Sequence, residues 1–502
     1  MRGKNSKVLL LVLDGWGYRR KKSANAIALA QPKFFQQCMK KFPHTALNAS
    51  GTAVGLPSQV IGNSEVGHLH LATGRVVTQD LERINQDIRK GGFFKNKTLE
   101  NAFNNAKKSR LHILGLVSDG GVHSHINHLL ALLELARTKQ LGTVVVHAFL
   151  DGRDVAQKSA ETYLNVVQKK LMSGWHIGSI IGRWYAMDRD NRWKREKQAY
   201  ELLVNGIGKT AQNWKQGLAQ AYACGETDEF VTPTQTSADS QIRDDDVVVL
   251  FNFRADRARE LVNAFCKKDF SGFSRIHLSH LHFVCMTQDD PALQVSVVYP
   301  QCALQKTLGE IISAQGFTQV RIAETEKWAH VTYFFNGLSD KVFSGEKRIL
   351  IPSPKVSTYD LAPEMKAKEI ARVTVQALSE NSPFILVNFA NADMVGHTAK
   401  LKPCVNAIRA IDNALAQIIP EAINKGVDVI ITGDHGNAEQ LAYPNGIPMT
   451  SHTTAPVPFI LISSRFKKLR PLKNSGLVNV APTVLKLLGI PQPHMMNATS
   501  LV

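Results

Sequence analysis

The sequence predicts an α/β fold built on parallel sheets and divided into more than one domain. Three observations carry this. Short continuous runs of Val, Ile and Leu recur along the chain, as in strands buried on both faces. Amphipathic stretches of helical length, such as 126–139 and 161–172, alternate with them. At 502 residues the chain exceeds what one hydrophobic core usually holds.

The strands expected in chain order are Val8–Leu13, 111–117, Val144–Leu150, 247–253, Phe384–Phe389, 427–432 and 459–462. Chemically capable residues follow most of them. Asp14 ends the first, and Asp119 and His123 follow the second. Asp151, Arg153 and Asp154 follow the third, and Arg254 and Arg257 the fourth. Asp393 and His397 follow the next, then Asp434 and His435, while His452 precedes the last. Ligands of open α/β sheets bind outside the carboxyl ends of strands. A lone Asp there is better read as a helix cap or turn residue. Caps do not account for so many together.

Hydrophobic residues make up 44% and charged residues 20%, a globular composition that buries a large core. Six cysteines (Cys38, Cys224, Cys266, Cys285, Cys302 and Cys404) show no CxxC spacing, which excludes a zinc ribbon and fits a reducing compartment. Arg2, Lys4 and Lys7 precede an apolar run, but Asp14 ends it too early for a signal peptide, and no stretch is apolar enough to span a membrane. The expectation is a cytoplasmic monomer with no membrane or nucleic-acid partner. The net charge of +18 points to an anionic substrate or a nucleic acid, but the surplus is spread along the chain, with one short cluster at Arg19, Arg20, Lys21 and Lys22 that reads as a solvated loop.

Asp393 and His397 in DMVGH are four apart, so a helical turn would point both to one face. Asp434 and His435 are adjacent in GDHGN, and His452 sits in SHTTAP. With Asp14 they make three carboxylates and three imidazoles. That mixture suits Mn or Zn better than calcium. It is too many ligands for one open catalytic ion, and two ions about 3.5–4 Å apart would use them all. Ser64 stands in the glycine-punctuated IGNSEVGH. It reads either as a helix N-cap or as a hydroxyl activated by a metal.

IGNSEVGH, DGWGY at Asp14, DMVGH at Asp393 and GDHGNAEQ at Asp434 resemble the signatures of the cofactor-independent phosphoglycerate mutases, members of the alkaline phosphatase superfamily. The similarity continues in order through VSDGGVHSH, DGRD, IGRWYAMDRDNRW, FNFRADRARE, ETEKWAHVTYFFNG and SPKVSTYDLAPEM. It implies an alkaline-phosphatase-like domain (1–78 and 300–502) split by an inserted α/β transferase domain (79–299) that binds glycerate. By resemblance Asp393, His397 and His452 hold one metal, and Asp14, Ser64, Asp434 and His435 the other. The metals would be Mn2+, with Mg2+, Co2+ or Zn2+ as alternatives. The resemblance also implies interconversion of 3- and 2-phosphoglycerate in glycolysis and gluconeogenesis through a phosphoserine at Ser64, with no bisphosphoglycerate.

His123, Arg153, Asp154, Arg183, Arg189, Arg254 and Arg257 carry over as substrate contacts, with Lys327 near the transferring phosphoryl group. Arginine's planar fork suits phosphate and carboxylate alike, and Arg254 and Arg257, three apart, would share a helical face. Asp154 is expected to be the acid/base, with His123 second, and Asp151 to orient an arginine. Three positions depart from the pattern: Ala392 where proline is usual, and Trp184 and Trp328 where tyrosine is usual. The rivals are a phosphomonoesterase on the same scaffold, which would not need FNFRADR and DGRD, a phosphopentomutase with a different insertion, and a nucleic-acid-binding protein, which lacks interleaved stacking aromatics.

Overall fold

The computed structural model describes residues 6–288, 290, 292–301 and 303–502; Arg2, Lys4 and Cys302 lie outside the described residues. The chain divides into two compact units, Met1–Gln79 with Cys302–Val502, and Asp80–Gln301. Each is a mixed α/β unit around its own sheet.

The first unit holds seven strands in the order Glu346–Ile351, Gln319–Glu324, Phe384–Phe389, Val8–Leu13, Asp428–Thr432, Val457–Ile462 and His44–Leu47. The first five are parallel and the last two pairings are antiparallel. The run VLLLVL is continuous because both its faces are covered. Leu9, Leu11 and Leu13 pack into one core, and Val8, Leu10 and Val12 into another. Each fully buried aliphatic side chain contributes about 1.5–3 kcal/mol.

The second unit holds eight strands in the order Ser296–Tyr299, His282–Thr287, Val247–Leu250, Leu111–Leu116, Val144–Leu150, Trp175–Gly182, Thr234–Gln235 and Lys209–Thr210. The first five pairings are parallel. Thr234–Gln235 runs antiparallel to Trp175–Gly182.

Several sequence expectations need correction. The run 247–253 is a strand only as far as Leu250, because the Asn252 side chain turns inward to take the Leu116 N–H at 2.9 Å. The helix expected over 161–172 is Ala160–Gln168, and the chain then turns through Gly174, at φ +84°, into Trp175–Gly182. Arg254 and Arg257 share no α-helical face. Arg254 is extended, and Ala255–Arg257 is a single 3-10 turn. The strands at Gln319–Glu324 and Glu346–Ile351 lack a continuous apolar run, since Arg321, Lys347 and Arg348 interrupt them. Arg321 is nonetheless fully buried, with its guanidinium over the Phe335 ring at 4.4 Å.

Candidate metal centre and arginine cluster

In the first unit, parallel strands bring their carboxyl ends to one edge of the sheet. Asp14 follows Leu13, the helix Asn391–Gly396 follows Phe389, and Asp434 follows Thr432. Val457–Ile462 runs antiparallel, so its amino end lies at the same edge and delivers His452. Asp393 and His397 do share a helical face, with His397 Nε2 3.3 Å from Asp393 Oδ1. Gly15, at φ +72°, passes so close to Asp393 that a Cβ there would lie 2.7 Å from the Asp393 Cα. Gly67 lets the Ser64 helix approach in the same way, since its Cβ would lie 2.6 Å from the Asp434 carbonyl oxygen.

Ser64 is the first residue of the helix Ser64–Thr73, and the cap is its neighbour Asn63, whose side chain accepts the Val66 N–H at 2.9 Å. The buried Ser64 hydroxyl therefore stays free for other partners. It donates to Asp14 Oδ1 at 3.0 Å, lies 2.9 Å from His435 Nε2 and accepts from Lys327 Nζ at 2.6 Å. Lys327 also reaches Asp14 Oδ1 and Asp393 Oδ2, each at 2.6 Å.

The three histidines are oriented alike. Their Nδ1 atoms face backbone carbonyls: His397 that of Thr450 at 2.7 Å, His452 that of Gly62 at 3.0 Å, His435 that of Gly436 at 3.2 Å. This leaves each Nε2 for a metal, as outer-shell partners of metal-binding histidines do. Two overlapping groups bring their ligand atoms within 4.8 Å of one another: Asp393, His435 and His452, and Asp14, Asp434 and His435. His397 joins through Asp393 and through His452, whose Nε2 lies 3.1 Å from its own. Among the described residues, buried Asp434 Oδ2 has no hydrogen-bond donor, since His68 Nδ1, 3.2 Å away, faces the Ser64 carbonyl at 2.9 Å.

Burial opposes charge on Lys327, Asp14 and His435, and their mutual attraction overrides it, whereas His452 stays lowered by burial. Burial would lower the Lys327 ammonium, yet Asp14, Asp393 and Asp434 hold it well above its usual range. Burial would raise Asp14, yet Lys327 and His435 hold it well below the carboxylate range. His435, which burial would lower, is pushed up to about 10, chiefly by Asp434.

Three participants were not singled out from the sequence. His68 sits four residues after Ser64 on the same helical face, with Nδ1 3.2 Å from Asp434 Oδ2 and Nε2 3.0 Å from Asn388 Nδ2. Asn388 donates to Asp14 Oδ2 at 2.9 Å, and Asn437 to Asp393 Oδ1 at 2.8 Å. The i, i+4 spacing was a readable signal for His68. The two asparagines had none beyond their place beside strand ends.

In the second unit the carboxyl ends of Leu111–Leu116, Val144–Leu150, Trp175–Gly182 and Val247–Leu250 gather His123, Asp151, Asp154, Arg183, Arg254 and Arg257. Arg183 Nη1 contacts Asp151 Oδ1 at 2.7 Å and Asp154 Oδ2 at 2.5 Å. Asp151 Oδ1 also accepts the Arg153 and Asp154 amides at 3.2 and 2.9 Å. Asp256 pairs with Arg189 and Arg254, each at 3.2 Å. Arg153 points instead to Glu229, at 3.4 Å. Burial lowers His123 to about 2, helped by Arg183, Arg254, Arg257 and Arg189, so a neutral imidazole stands among four guanidiniums. Burial also lowers Arg257, reinforced by Arg189, Arg183 and Arg153. A cluster of mutually repelling guanidiniums is suited to an anion. Lys327 belongs to the first unit, beside Ser64, and not to this cluster.

A family model described as "BPG-independent PGAM N-terminus" matches residues 84–291. The chain is 47% identical to the 2,3-bisphosphoglycerate-independent phosphoglycerate mutase of Symbiobacterium thermophilum, over 99% of this chain and 97% of that one. It is 46% identical to the enzyme of the same name from Clostridium perfringens, over 99% of each. A crystal structure of Leishmania mexicana phosphoglycerate mutase at low cobalt concentration superposes with a TM-score of 0.77 at 30% identity, covering 99% of this chain and 97% of that one.

Proposed function

Because the chain belongs to the 2,3-bisphosphoglycerate-independent phosphoglycerate mutase family and is an isomerase, we propose that it interconverts 3- and 2-phosphoglycerate in the cytoplasm through a phosphoserine at Ser64, with two divalent metal ions. The observation that carries this is the Ser64 hydroxyl at a helix N-terminus, within 3.0 Å of Asp14, His435 and Lys327.

The residues fit two ions. Three imidazoles offer oriented Nε2 atoms, Asp434 Oδ2 lacks a donor, and the facing Nε2 atoms of His397 and His452 need a cation or proton between them. Asp393, His397 and His452 would hold one ion, and Asp14, Ser64, Asp434 and His435 the other, with Mn2+ suited to the mixture. When bound, the metals supply Lewis-acid activation of the serine hydroxyl and neutralise charge on the phosphoryl oxygens.

The chain's own groups account for the rest. Ser64 Oγ, its hydroxyl proton already lost to solvent, attacks phosphorus, and the bond from phosphorus to the glycerate oxygen breaks; the return transfer regenerates the same serine oxyanion. The Lys327 ammonium and the helix N-terminus stabilise negative charge on the serine oxygen and the phosphoryl group. The departing glycerate oxygen takes a proton from Asp154; His123, the second choice for the acid/base role, is held neutral and serves only as a base. Arg153, Arg183, Arg189, Arg254 and Arg257 hold the carboxylate while glycerate turns. The other hydroxyl then gives its proton back to the same base and attacks the phosphoserine. The phosphoryl group stays on Ser64 between the two transfers, so no bisphosphoglycerate is required.

The test is turnover of 3-phosphoglycerate without added bisphosphoglycerate, alongside metal analysis and mass spectrometry of the acid-quenched protein. Two ions per chain and phosphate on the peptide containing Ser64 are expected. Turnover with no phosphorylation at Ser64 would overturn the mechanism.

A further inference from the structure

The loop 187–192 carries Arg189 and is neither helix nor strand, so its backbone amides need other acceptors. Three buried carboxylates supply them. The Asp188 N–H donates to Glu196 Oε1 and the Asn191 N–H to Glu260 Oε1, both at 2.8 Å. The Asp190 and Arg192 amides donate to Asp188 Oδ2 at 3.0 and 2.9 Å. Asp188, Glu196 and Glu260 are 4%, 0% and 6% exposed. The same loop serves a second arginine, since the Met187 carbonyl accepts from Arg257 Nη1 at 3.0 Å.

The three acids are under-neutralised. Arg195 Nη1 reaches Asp188 Oδ1 at 3.2 Å, and its guanidinium stacks on the Trp184 ring at 3.4 Å. Among the described residues Glu196 Oε2 and Glu260 Oε2 find no hydrogen-bond partner. A core built only for stability gains little from such groups, because apolar residues of the same volume are often as good or better. Arg189 is half exposed and its side chain pairs with Asp256, so its backbone anchor decides where the guanidinium stands.

We propose that Asp188, Glu196 and Glu260 form a carboxylate clamp that positions Arg189 and Arg257 for the glycerate end of the substrate. The proposal rests on the reading of those arginines given above. Glu196 and Glu260 are positioning residues, since they act through the loop. Burial and mutual repulsion raise both carboxyls above the usual range. The charged groups around it are Asp188, Asp190, Arg189 and Arg192 on the loop, Arg195 on the helix Trp193–Asn205, and Arg259 on the helix Arg259–Cys266. As pH rises the protons leave, the carboxylates repel one another, and the loop loosens.

The experiment compares the full-length metal-loaded enzyme with Glu260→Ala, Glu260→Gln and Arg189→Ala, reading KM and kcat for 3-phosphoglycerate from pH 7 to 9 and melting by circular dichroism. Glu260→Ala should raise KM about tenfold, the loss of one hydrogen bond to a carboxyl group, with a smaller change in kcat. Glu260→Gln keeps a carbonyl for the Asn191 N–H, so it should restore KM. It should also flatten the rise in KM with pH that the proposal expects of the wild type. If Arg189→Ala leaves KM unchanged, the glycerate reading of Arg189 fails, and the clamp with it. If Arg189→Ala raises KM while a folded Glu260→Ala does not, the clamp alone is overturned. If Glu260→Ala does not fold, the Gln variant decides: a KM that climbs with pH as in the wild type overturns the proposal.

Discussion

Replacing Lys327 with Met removes the ammonium from among three buried carboxylates while keeping the side-chain stem. Lys327 is 3% exposed and makes 2.6 Å contacts to Asp14, Asp393 and Ser64. Removing one partner of a buried ion pair costs about 3–5 kcal/mol, because the other charge stays behind uncompensated. For a unit of this size, at roughly 2 °C per kcal/mol, the metal-free variant should melt roughly 6–10 °C below the metal-free wild type. A divalent ion neutralises the same carboxylates, so saturating Mn2+ should close most of that gap. Catalysis should not recover with it. Losing a preorganised donor to the reacting oxygen typically costs about 100–1000-fold in kcat. Differential scanning calorimetry with and without Mn2+, and a coupled assay of 2-phosphoglycerate formation, give both numbers. A metal-free Lys327→Met that melts with the wild type, together with a kcat within tenfold of it, would refute this account of the centre.

Ser64→Ala should abolish mutase turnover by more than about a thousandfold while leaving the melting temperature unchanged, since Ala is a good helix former and Asn63 provides the cap; a smaller loss would point to another nucleophile. Metal occupancy and activity should both fall as pH drops through about 6.5, where free imidazoles protonate, and full activity after exhaustive chelation would contradict the metal reading. Burial pushes the Glu324 carboxyl up from 4.5 to about 7, partly offset by the Ser353 hydroxyl. The folded state therefore holds the proton more tightly than the unfolded chain, and this contribution is full below pH 4.5 and lost as pH rises to about 7. At about 1.4 kcal/mol per pH unit the swing is roughly 3 kcal/mol. Urea unfolding of Glu324→Gln against the wild type across that window should show it, and parallel curves would disprove it. Arg257→Ala should retain its metals yet lose mutase rate and release more inorganic phosphate per turnover, because glycerate escapes and water takes the phosphoryl group. Unchanged phosphate release would mean that Arg257 does not hold glycerate.

Sequence by itself determined the buried parallel strands, because a residue pattern covered on both faces leaves a continuous apolar run such as VLLLVL. It also carried the ligand types, since Asp, His and Ser in short glycine-flanked motifs are local features. The half-exposed strand Glu346–Ile351 was not legible, because charged residues on an edge break the periodicity. Nor was the role of Ser64, which local residues left between cap and nucleophile. Tertiary structure decided only the cap, which goes to Asn63, and it brings Lys327, 263 positions away, to the Ser64 hydroxyl. No sequence pattern marks Asp188, Glu196 and Glu260 as buried. Only the packing of two helices around one loop buries them, because burial depends on what folds over a residue, which no neighbouring residue encodes.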